Sequence, residues 1–165
     1  MLLARITSAL DGLIAAILAL GRVLALPIVL LLFLQWPLRD LVQAYSREAN
    51  DLGQWLFALY VAMAVTAATR ARTHLATDVV ARRYSARTRA ILVRAMALIG
   101  ALPWALFVIV AGRGIVLSSL AARETFPDTT NPGYFLVKLA LWVLAGLMLA
   151  QALLDLFQPG REGRP

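Results

Sequence analysis

Four apolar segments govern what this chain can fold into. They run from residues 13–38, 52–69, 95–120 and 132–154. A helix needs about 20 apolar residues to cross a hydrocarbon core of roughly 30 Å. Residues 52–69 contain no charge, and at a 1.5 Å rise they reach about 27 Å. A mean hydropathy of +0.77 with 61% apolar residues is far above the globular norm of roughly half. The expected fold is therefore all-α: one integral membrane domain of four transmembrane helices.

Charge then orients the spans. One side holds the N-terminus, the second loop and the C-terminus, with eleven basic and four acidic residues. The other side holds Arg39, Arg47, Arg113, Arg123 and Lys138 against five acids. Loops rich in Arg and Lys stay in the cytoplasm, so both termini are expected inside. The bias also explains a pI near 11.0 without nucleic acid, because the basic residues flank apolar spans and meet anionic lipid headgroups. Arg70, Arg72, Arg82, Arg83, Arg87, Arg89 and Arg94 are the expected inner-leaflet contacts.

Local signals refine this layout. The first dozen residues mix Arg5, Thr7, Ser8 and Asp11 with leucines, which suits an interfacial N-terminal segment. The apolar run resumes after Gly21 and outlasts a signal-peptide core of about 7–15 residues, so a retained first span is expected. Arg22 is expected near the inner interface, where it snorkels to headgroups or pairs with Asp155. Pro27 permits a kink. Asp51 is placed to cap the second helix. Residues 70–94 form an amphipathic cytoplasmic connector, and Ser85 caps a long third helix running from about residue 86 to 122. Thr130 and Pro132 are expected to start the fourth.

Several chemistries find no foothold. With no cysteine and one histidine, an ordinary zinc site cannot be assembled. None of the nine acids lies mid-span, where proton-coupled transport generally needs one. Gly112-Arg113-Gly114 lacks the strand and lysine of a phosphate loop. It suits a bend or close helix packing. No catalytic, cofactor-binding or metal-binding residue is assigned, and an enzyme is not expected. Trp104 and Trp142 lie deeper than an interfacial aromatic belt and are candidate contacts with a membrane partner.

A family resemblance joins these features. Gln35-Trp36-Pro37-Leu38-Arg39 closes the first span. Glu48 to Asp51 opens an apolar helix beginning Trp55-Leu56-Phe57. Arg70-Ala71-Arg72-Thr73-His74-Leu75-Ala76-Thr77-Asp78-Val79 follows it. With Gln35, Arg39, His74 and Asp78 as its motif residues, the chain resembles the Q-type small membrane subunit of tripartite ATP-independent periplasmic (TRAP) transporters. It departs from the pattern at Met63-Ala64, where a glycine is common, and in the looser Glu48/Asp51 spacing. The resemblance implies a bacterial inner-membrane protein that braces a large transport subunit in a heterodimer. That importer takes up organic acids with sodium and works with a periplasmic binding protein. Sodium would belong to the large subunit. The rival reading is a stand-alone oligomeric small transporter.

Overall fold

The computed structural model describes residues 2–43, 46–71 and 84–157. Its helices are α1 (Leu2–Asp40), α2 (Arg47–Ala71), α3 (Ala86–Met96), a π-helical turn (Ala97–Ala101), α4 (Leu102–Ala121) and α5 (Tyr134–Phe157). Four helical stretches, counting residues 86–121 as one, are long and apolar enough to cross a membrane. No strand occurs among the described residues; Thr125 and Pro132 form an isolated bridge.

The helix ends follow from local chemistry. Ser46 begins α2: its hydroxyl accepts the Ala49 N–H at 3.2 Å and donates to Glu48 at 3.0 Å. Asp51 therefore lies inside α2 instead of capping it, and is free for a tertiary role. Ser85 caps α3 as expected, accepting the Thr88 N–H at 3.1 Å. Residues 2–12 run without a break into α1. The helix also continues through Pro27 and Pro37. The π-turn ends two residues before Pro103. In a regular α-helix the Pro103 ring would collide with the Ile99 carbonyl; a wider turn relieves that collision.

Pro132 does not open α5, which starts at Tyr134. Thr130, at φ 59°, turns the loop back on itself. The Phe126 N–H donates to the Asn131 carbonyl, and the Thr130 N–H to the Phe126 carbonyl, both at 2.9 Å. Pro132 is thus held in the loop, opposite Thr125.

Packing gives α2 and α5 the central positions. α5 contacts α2 on one side and α4 on the other; α1 packs on α2 and more lightly on α5. Ile14, Leu18, Met63, Leu147 and Leu154 form the buried cluster. Gly21 sets the α1–α2 separation, since a Cβ there would lie 2.9 Å from the Met63 Cβ. At the α4–α5 seam, Gly112 faces the Trp142 indole at ordinary contact distance. Small residues let apolar helices approach where no hydrophobic force separates them from lipid.

Candidate functional site

The bundle is tied at its two ends, and each end uses a buried or half-buried ionic group. At the Asp51 end, the carboxylate is 6% exposed. It accepts hydrogen bonds from the Thr129 hydroxyl and from Asn131 Nδ2 at 3.3 Å. These bonds fasten the α4–α5 loop to α2. A burial of this kind is tolerated because the charge is hydrogen-bonded. Beside it, Glu124 accepts from Lys138 Nζ at 2.5 Å and from the Ser119 hydroxyl. The Lys138 and Ser119 donors hold the Glu124 carboxyl below its ordinary value, against a smaller opposing effect of burial.

Aromatic contacts complete this end. Phe126 meets Tyr134 edge-on, with centroids 5.5 Å apart. Lys138 Nζ stands 5.3 Å from the Tyr134 ring centroid. Gly133, at φ +139°, lies against Phe126 and Trp55. A Cβ there would be strained by the backbone and crowded by Phe126 at 3.3 Å. A polar hollow of about 350 Å³ is lined by Arg47, Asn50, Asp51, Asp128 and Thr129. No group of three His, Asp or Glu side chains able to hold a metal occurs among the described residues.

At the opposite end, Arg70 pairs with Asp11 at 2.5 Å, with side chains only 14% and 22% exposed. Arg70, expected at the headgroups, thus has a carboxylate of α1 beside it. Arg94 donates through Nε to the Leu156 carbonyl at 3.2 Å. The cation thus meets the last turn of α5, where it complements the helix dipole. Gln151 Nε2 donates to Asp155 at 3.1 Å, while Gln151 Oε1 is enclosed without a partner.

The remaining candidate residues separate into three groups. Arg87 and Arg89 are exposed on α3, a helix that buries none of its residues. Gln35 is half-buried with an enclosed, unpartnered Nε2, while exposed Arg39 pairs with Asp40 at 2.7 Å. Trp104 is 42% exposed on α4. Trp142 is half-buried at the Gly112 seam, its indole N–H enclosed without a partner. Arg72, Arg82, Arg83, His74 and Asp78 lie outside the described residues. Arg22 and Asp155 do not pair: Arg22 is exposed, and Asp155 is engaged by Gln151.

Sequence reasoning missed the two clasps, Asp51 with the Thr129–Asn131 turn and Glu124 with Lys138. The available signal was chemical: two acids and one lysine adjoining apolar spans need partners. Their pairing required the loop fold. Each clasp sets a hydroxyl on a carboxylate and joins loop to helix. The geometry leaves broad apolar faces, with the most hydrophobic stretches of α1 and of the α3–α4 rod each only 17% buried.

This is the architecture of a multi-pass membrane protein whose flanking helices stay open. No curated protein and no solved structure matches the chain. The family model for tripartite ATP-independent periplasmic transporters, DctQ component, matches residues 28–161. The match covers most of the chain: it belongs to the DctQ component family, the small membrane subunits of TRAP transporters.

Proposed function

We propose that this small subunit braces the large membrane subunit of a sodium-coupled importer of organic acids, as a stable heterodimer in the bacterial inner membrane. The observation that carries this reading is the open surface of α1 and α4, joined to spans that contain no Asp or Glu. Sodium wants several oxygen ligands, and transporters usually expose them on broken helices near mid-depth. Those ligands belong to the large subunit, and this chain is a non-catalytic partner without a cofactor of its own. A periplasmic protein delivers the substrate. The charge bias supports placing the Arg70 end and both termini in the cytoplasm. Arg87 and Arg89 then meet anionic headgroups of the inner leaflet.

Reconstitution with the periplasmic binding protein tests the division of labour. The small chain alone is expected to give no sodium-driven uptake, and the two membrane subunits together to give it. Uptake by the small chain alone overturns the bracing reading. Full uptake by the large subunit without it makes the chain dispensable. A cysteine at Thr88, in this cysteine-free chain, is expected to resist a membrane-impermeant reagent applied from outside.

A further inference from the structure

Arg22 lies far deeper than its sequence position first implies. It follows Gly21, which is pressed against Met63, two-thirds of the way along α2 toward Arg70. Counted along α1, Arg22 is eleven residues from Asp11 and thirteen from Gln35, about 16 and 20 Å at the helical rise. Counted along α2, Met63 is seven residues from Arg70 and twelve from Asp51, about 10 and 18 Å. The two counts differ because the Arg70 and Asp11 side chains span part of their separation. Both put Arg22 between the two polar ends of the bundle, clear of either. A fully extended arginine side chain is shorter than any of these distances, so snorkelling along α1 does not bring the guanidinium level with either polar end.

No described residue neutralises it. Arg22 is exposed and makes no ion pair among the described residues. No Asp or Glu occurs in residues 12–39, 52–71, 86–121 or 134–154. The carboxylates of these helices, Asp155 among them, all lie toward helix ends and away from the Arg22 level. A second copy would present another arginine and, again, no acid. Phospholipid phosphates lie at the membrane surface. Arg113, also unpaired among the described residues, differs: it is eight residues from Ala121 at the end of α4, about 12 Å, closer to a helix end than Arg22 is on α1.

The neighbours of Arg22 form a ready surface. Leu26, Val29, Phe33 and Trp36 follow it at helical spacing on the same stripe. Their exposures run from 60% to 67%. Charged groups within a membrane characteristically face a protein partner or water-filled cavity and find a counter-charge there.

We infer that Arg22 is an intramembrane docking charge: a carboxylate on a helix of a second membrane protein receives its guanidinium along this stripe of α1. The identity of that protein as the large TRAP subunit rests on the function proposed above. Arg22 itself precedes the family match, which begins at residue 28. The partner helix thus carries an Asp or Glu at mid-span, flanked by apolar residues.

Co-purification of the full chain with a tagged large subunit tests the assignment. Wild type, Arg22→Leu, Arg22→Lys and Arg113→Leu are compared, with membrane-inserted small chain measured in each sample. Arg22→Leu makes α1 more apolar and therefore preserves insertion. Its capture should fall about tenfold or more, because the partner carboxylate loses its counter-charge. Arg22→Lys should retain an intermediate share, keeping the charge without the bidentate fork. Arg113→Leu should match wild type. Equal capture of wild type and Arg22→Leu overturns the docking charge and leaves the proposed function standing. Failure to capture wild type overturns the proposed function, and this inference with it. Unchanged capture with loss of a bound phospholipid from Arg22→Leu assigns the guanidinium to lipid and also overturns the inference.

Discussion

The seam between α2 and α5 and the outward face of α1 use similar apolar residues for opposite ends. At the seam and its junction with α1, Met63, Leu147 and Leu154 are buried, and Thr66 returns its hydroxyl to the Ala62 carbonyl at 3.0 Å. Along the outer face of α1, Leu26, Phe33 and Trp36 are exposed, and Arg22 has no counter-charge. Hydropathy cannot distinguish these surfaces. The polar groups can: on the seam the Thr66 hydroxyl is satisfied within its own helix and the unpartnered Gln151 Oε1 is neutral, whereas on the open face a full charge awaits a partner. Within a membrane, exposed leucines fit lipid equally well, so the unpaired charge is the more informative mark of an interface.

The strongest way to break the contrast is to remove Asp51. Asp51→Ala deletes a buried acceptor and strands the Thr129 and Asn131 donors. A loss of about 3 kcal/mol is expected, given two hydrogen bonds to a charged group. Thermal unfolding of the purified chain in detergent checks this. Phe33→Ala, on the open face, should lie within about 0.5 kcal/mol of wild type in the same assay. Comparable losses would erase the distinction between a clasped end and an open face.

Glycine substitutions sharpen it further. Gly21→Leu should cost about 2 kcal/mol, because its Cβ meets the Met63 Cβ at 2.9 Å and neither atom can swing away. Gly112→Ala should change stability by less than about 0.5 kcal/mol, since its nearest neighbour, the Trp142 indole, stands at 3.5 Å. Reversal of that order would place the tighter seam between α4 and α5.

The smallest effect expected is pH-dependent. Glu124 has its carboxyl lowered from an ordinary 4.5, first by Lys138 and then by Ser119. A lowered folded-state value adds stability above pH 4.5 and loses it as pH falls through the folded value. The difference in unfolding midpoint between wild type and Glu124→Gln should be steady from pH 8 to 5, then shrink below 4.5. A difference that grows on acidification would show that the Lys138 clasp does not stabilise the folded state.

Much of the fold was legible because bilayer crossing imposes a strong one-dimensional rule. The four spans could be read from apolar length, and the Ser85 cap from its position before a long helix. The roles of Asp51 and Arg70 were less legible. Each adjoins a helix end, where capping or headgroup contact is the simplest local expectation. Their partners, Asn131 and Asp11, are 80 and 59 residues away, beyond the reach of any local pattern. The His74–Asp78 motif contributed to the resemblance but lies outside the described residues.

Apolar run lengths and charge signs alone determined that this chain is helical and built around four crossings. They also determined that its spans contain no carboxylate to neutralise Arg22. Tertiary structure decided where that arginine sits between the bundle's polar ends and which face remains open. The reason is geometric: α1 is 39 residues long, more than a bilayer requires, so hydropathy permits several vertical positions. The Gly21–Met63 approach and the Arg70–Asp11 pair fix its register against α2, and with Gly21 and Ile28 buried the adjoining Arg22 stripe is left exposed.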